Sequence, residues 1–121
     1  MKTLQNIITS PEKHFTVAKK EINNHNALLP NVLYGQMEKF VKSIIADNFN
    51  IHNPTPQLLK LQILKNAYFK DRLHIKAKIK SLNESELHML VLVKKKNISK
   101  ESTICKAVFR FPLKQNISKA S

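Results

Sequence analysis

Glu38 is the side chain in this sequence best placed to do chemistry. It closes the segment Pro30-Asn31-Val32-Leu33-Tyr34-Gly35-Gln36-Met37-Glu38. At about 100° per residue in a helix, Glu38 shares a face with Asn31, Tyr34, Gly35 and Ile45, a mixed surface suited to a subunit interface that contains a cleft. Gln36 falls instead with Leu29, Val32, Leu33 and Phe40 on the most apolar face, toward a sheet. A carboxylate such as Glu38 can activate water or attack an electrophilic carbon. First-turn N–H groups near Asn31 and Val32 have no partner within a helix, so with the helix dipole they can polarise a carbonyl. The competing role for Glu38 is a surface pair with Lys42, one turn on. Gly35 is the single glycine of the chain. In mid-helix it costs about 1 kcal/mol relative to Ala, which suits either the close approach of a ligand or backbone or an ordinary packing need.

Other reactive residue types are less pointed. Asn24, His25 and Asn26 can orient water or a ligand, or simply form the turn their composition favours. His14, His52, His74 and His88 have no ligand spacing, so the sequence indicates no metal site. Cys105 is the one cysteine. It cannot form an internal disulfide, and its apolar surroundings make it inert packing.

Elements must hold these residues in place. Apolar side chains recur at Leu29, Leu33, Met37, Phe40, Val41, Ile44 and Ile45, a helical spacing sustained for about four turns. Pro30 suits the first turn, and Asp47-Asn48 with Asn50 ends the helix before Asn53-Pro54-Thr55-Pro56. Upstream, residues 14–22 read as an edge strand followed by the Asn-rich turn 23–26. Downstream, residues 57–66, 73–82, 86–95 and 102–113 read as strands. In the third of the five strands Leu73, Ile75, Ala77 and Ile79 alternate with His74 and three lysines expected to face water. Residues 89–93 are apolar on both faces, which requires a helix on one side and a partner on the other. One helix cannot cover both faces, so self-association is expected. Cys105, Ala107, Phe109 and Phe111 share one face as core residues.

The 121 residues and 42% hydrophobic content fit one domain, with a core at about 13–113. No stretch of about eighteen apolar residues occurs, and the first ten residues lack a continuous apolar run, so a cytoplasmic protein is expected. The net charge of +13 favours acidic partners: nucleic acid, anionic lipid, a phosphorylated cofactor or an acidic carrier protein. Nucleic acid is disfavoured because aromatic residues, 7% of the chain, are not interleaved with basic ones.

Strand, loop, one long helix and four antiparallel strands is the order of the hotdog fold, an α+β architecture in which a sheet wraps a central helix and two subunits join their sheets. Residues 64–77 resemble that family's aromatic strand end turning through Gly-Asp into an alternating strand, with Lys70 standing where the family has glycine. Residues 104–111 are similar to its last strand. The resemblance implies action on acyl thioesters and a homodimer or homotetramer. Set against acyl-CoA thioesterases, Glu38 takes the place of the catalytic carboxylate, with Asn31 and His25 assisting. Set against 3-hydroxyacyl-carrier-protein dehydratases, Gln36 takes the place of the acid, and His25 stands for the histidine. Asn26, Tyr34, Gly35 and Gln36 would then meet the substrate, and Lys94, Lys95 and Lys96 would form a basic rim for the phosphates of coenzyme A or a carrier-protein phosphopantetheine. No cofactor beyond that carrier group is implied. A non-catalytic acyl-binding protein is the third reading.

Overall fold

The computed structural model describes residues 12–49, 55–96 and 100–113. Its elements are β1 (Glu12–Thr16), helix α1 (Pro30–Phe49), β2 (Gln57–Ile63), β3 (Arg72–Leu82), β4 (Glu86–Lys96) and β5 (Glu101–Pro112). The five strands form one antiparallel sheet in the order β1-β3-β4-β5-β2. Pro30 occupies the first turn of α1 as expected. Asn50 and Asn53-Pro54, expected to stop the helix, lie outside the described residues, as do His52 and the first ten residues.

Helix and sheet meet through two matched periodicities. From α1, Leu33, Met37, Phe40, Val41, Ile44 and Ile45 are buried. They belong to one core with Leu73, Ile75 and Ala77 of β3, Leu87, Met89, Val91 and Val93 of β4, and Cys105, Ala107, Phe109 and Phe111 of β5. Register explains the match: Val93, Val91, Met89 and Leu87 stand opposite Cys105, Ala107, Phe109 and Phe111. Each large apolar side chain so buried contributes about 1.5–3 kcal/mol. The intervening residues turn to the outer face, where Leu90 and Leu92 are half-buried among lysines of β3, β4 and β5.

Three expectations need correction. β1 is shorter than residues 14–22, because after Thr16 the chain tightens into a 3-10 turn at Lys19–Glu21, where Glu21 Oε1 accepts the Ala18 N–H at 2.8 Å. Leu29 is half-buried rather than in the core. His74 does not face water with its neighbouring lysines. It is only 8% exposed, because Glu12 and Glu101 reach its two ring nitrogens from either side. Alternation within β3 cannot report what the other strands place on the same face.

The turn entering β3 carries the resemblance noted above. Tyr68 N–H donates to Asp71 Oδ2 at 2.7 Å, and Asp71 N–H donates to the Tyr68 carbonyl at 2.9 Å. Lys70 has a φ of 75°, the left-handed conformation that glycine adopts freely. The lysine therefore keeps the glycine's geometry.

Candidate active site

α1 begins where the Asn-rich loop is tied down. Asn23 Oδ1 accepts the N–H groups of His25 at 2.8 Å and Ala27 at 3.1 Å, an arrangement asparagine favours in turns. Leu28 N–H donates to the Ala67 carbonyl and Phe69 N–H to the Asn26 carbonyl, so the loop is fixed to the segment between β2 and β3. Asn26 takes a φ of 66°, which asparagine tolerates. These bonds set the point at which α1 starts and hence the angular position of every residue along it.

Two turns into the helix, Glu38 lines an open cleft of about 620 Å³ with Lys39, Lys42, Ser43, Thr55 and Pro56. Among the described residues Glu38 forms no ion pair with Lys42, so the expected surface pair is not made. Tyr34, one turn earlier, leans on Phe109 with ring centroids 5.9 Å apart. Its hydroxyl pKa is pushed up, first by burial and second by the negative charge of Glu38. Tyr34 and Glu38 therefore form one electrostatic neighbourhood. Beside them, a Cβ added to Gly35 would meet nothing within 4 Å, so the glycine leaves open space along this face of the helix.

The remaining expected site residues are distributed differently. Asn31 is exposed in the first turn. Val32 already donates its N–H to the Leu29 carbonyl at 3.1 Å, so only the Asn31 N–H of that expected pair lacks a backbone acceptor among the described residues. His25 and Asn26 are exposed in the entry turn. Gln36 is half-buried, and its Oε1 is buried without a hydrogen-bond partner among the described residues. Lys94, Lys95 and Lys96 do not converge into a rim. Lys94 lies among Lys76 and Lys78 on the outer face, Lys95 pairs with Asp71 at 2.9 Å, and Lys96 borders a cleft beside His14 and Arg72. Consecutive residues of a strand point to opposite faces, which sets Lys95 apart from Lys94 and Lys96.

Two groupings escaped the sequence reading. Thr55 follows the helix yet returns to the cleft of Glu38, a proximity no local pattern records. Glu12, His14 and His74 bring ligand-type atoms within 4.8 Å of one another, from strands some sixty residues apart in sequence. Only the β1–β3 register, with His14 opposite His74, creates that set.

No family model and no curated protein matches the sequence. Solved structures do match. An acyl-CoA hydrolase from Staphylococcus aureus in complex with butyryl coenzyme A is 13% identical with a TM-score of 0.78, over 84% of this chain and 63% of that one. The chain thus spans less than two thirds of that enzyme's length. A hexameric thioesterase from Yersinia pestis is 16% identical with a TM-score of 0.67, over 83% of each chain. A hypothetical thioesterase with coenzyme A from Streptococcus pneumoniae is 15% identical with a TM-score of 0.67, over 84% of this chain and 76% of that one. One long helix on a five-stranded antiparallel sheet, together with the likeness to these solved structures, identifies the fold of this chain as the hotdog fold.

Proposed function

We propose that this protein is a cytoplasmic acyl-CoA thioesterase with Glu38 as its catalytic carboxylate. The observation that carries the reading is the Glu38 cleft with Thr55 on its rim. Alanine mutants of the Staphylococcus aureus hydrolase stand among the structural neighbours, at an asparagine, an aspartate and a threonine. There the aspartate follows the asparagine by fifteen residues and the threonine follows the aspartate by seventeen. Asn23, Glu38 and Thr55 keep both separations, with glutamate in place of aspartate.

In this reading Glu38 attacks the thioester carbonyl or activates the water that does, while the Asn31 N–H and the positive end of α1 stabilise the developing oxyanion. Tyr34 stays protonated beside Glu38 and can hold the attacking water. Gly35 leaves room for the acyl chain. Coenzyme A is favoured over a carrier protein as the leaving group, because two of the neighbours above hold it. Dehydration is disfavoured, since it needs an acid where this chain has Gln36. A second copy joins its sheet along β2, whose Leu58, Leu61 and Ile63 are exposed.

Free-thiol release from acyl-CoA substrates of graded length, by parent and Glu38→Gln protein, tests the assignment. The variant is expected to lose about 10²–10⁴-fold in kcat with its fold intact. Equal rates in the two proteins would remove Glu38 from the mechanism, and no release from any acyl-CoA by the parent would overturn the thioesterase reading.

A further inference from the structure

On the face of the sheet turned away from α1, far from the chemistry of Glu38 in register and side, β1 and β3 assemble a second constellation. His14 and His74 are directly paired across the strands, and their rings stack with centroids 4.2 Å apart and an 18° tilt. Glu12, two residues before His14 and on the same face, sets its Oε1 2.7 Å from His74 Nε2 and 3.5 Å from His14 Nε2. We propose that Glu12, His14 and His74 form a binding site for a divalent transition metal ion, with zinc the best match to two imidazoles and a carboxylate.

The spacing suits such an ion. With metal–ligand distances of about 2.0–2.2 Å, donors of a tetrahedral centre lie about 3.3–3.5 Å apart. The Glu12–His14 pair is already at that separation, the Glu12–His74 pair needs to open by less than about 1 Å, and the exposed His14 ring must turn out of its stack on His74 so that both imidazole lone pairs converge on one ion. Two nitrogens and one oxygen favour zinc, nickel, copper or cobalt over calcium and magnesium, which take all-oxygen sites.

An independent observation is the outer support of His74. Its Nδ1 lies 2.8 Å from Glu101 Oε2, brought from β5, while the other oxygen of Glu101 faces Lys76 at 4.0 Å. A carboxylate on Nδ1 keeps the proton there and leaves the Nε2 lone pair directed at the metal, the arrangement that metal-bound histidines usually have. His74 is buried, so its ring orientation is fixed before any ion arrives. A proton on Nε2 satisfies only the contact with Glu12, whereas a metal ion satisfies all three donors at once. Next to the cluster, a cleft of about 260 Å³ bordered by Thr16, Arg72 and Lys96 leaves the fourth position open to water or a small anion. The ion would pin edge strand β1 to β3.

The test is titration of chelator-treated protein with zinc by calorimetry and with cobalt by visible absorption. The expected result is one ion per chain, with cobalt bands of a four-coordinate centre. His14→Ala removes an exposed ligand without disturbing the core and is expected to weaken binding at least a hundredfold. Glu101→Gln, which touches no metal, is expected to weaken it about 10–100-fold. His25→Ala and His88→Ala are expected to leave it unchanged. Absence of binding, or binding retained in His14→Ala, would overturn the proposal and leave His74 as a hydrogen-bonded bridge between two glutamates. Neither result bears on thioester hydrolysis, because Glu38 lies outside this cluster.

Discussion

β1 and β2 both close the sheet, each paired with a neighbour on one side only, yet their sequences treat that position in opposite ways. β1 is five residues, Glu-Lys-His-Phe-Thr, with charged or imidazole groups at three of them and hydrogen bonds running from Glu12 through His74 to Glu101. Short, charged edges resist pairing with another chain. β2 is seven residues, every one exposed, and with the residues after it presents Leu58, Leu59, Leu61, Ile63, Leu64, Tyr68 and Phe69 to solvent. So contiguous an apolar edge on a chain of net charge +13 is the surface that the second copy proposed above would cover. The sheet is closed to association at β1 and open to it at β2.

The contrast breaks most severely if β2 is charged. Leu61→Lys with Ile63→Lys is expected to dissociate the assembly, weakening it by about a hundredfold or more, because each leucine-sized side chain kept in water forgoes about 1.5–3 kcal/mol. Light scattering behind a sizing column reads the result, with circular dichroism to show the fold intact. Lys13→Gln on β1 is expected to change nothing in that experiment. A parent that stays monomeric at high concentration would refute the reading of β2.

A smaller effect is expected at the start of β2. Arg110 Nη1 donates to Gln57 Oε1 at 3.0 Å, and its Nε donates to Glu86. That bond from Arg110, more than any other influence, holds the Glu86 carboxyl below the usual carboxylate range. A lowered folded-state pKa adds stability that is present above the ordinary carboxylate range and is lost as pH falls through the folded value. Urea unfolding from neutral pH downward should therefore show an acid loss of stability that is shallower in Arg110→Met. Identical acid limbs would show that the pair does not anchor this corner.

How far the sequence reaches can be judged from the same elements. α1 was legible because its apolar residues repeat at 3.6 without interruption, β3 and β5 because theirs repeat at two, and β4 because it is a short apolar run between turn residues. The separation of Lys95 from Lys94 and Lys96 was available too, since alternation along a strand sends the middle of three successive residues to the other face. Helical angle alone sets Glu38 and Gln36 on different faces, and the structure lines an open cleft with Glu38 while burying the Gln36 Oε1. The return of Thr55 to the cleft and the clamp on His74 were not available. Each depends on which strands become neighbours and in what register, and residues 12 and 74 or 74 and 101 meet only after the sheet has closed.

Lys70 sits between the two kinds of knowledge. Its place in a pattern that elsewhere has glycine was visible in the sequence, and its φ of 75° is the left-handed conformation that glycine adopts freely. The turn belongs to the closed edge, because Lys70 N–H donates to the Val17 carbonyl just after β1, at 3.0 Å. A side chain with a Cβ pays roughly 1–2 kcal/mol to stay left-handed. Lys70 also places its ammonium 5.5 Å from the Phe69 ring, so a change to glycine alone would mix two effects. Comparing Lys70→Gly with Lys70→Ala removes the ammonium from both and isolates the backbone. Glycine's greater freedom in the unfolded chain, about 0.5–1 kcal/mol, offsets part of the relief. Lys70→Gly is therefore expected to be the more stable of the two by about 0.5–1 kcal/mol in urea unfolding. Equal stabilities would mean that the bonds around Asp71 and Val17, rather than the residue type, set the conformation of this turn.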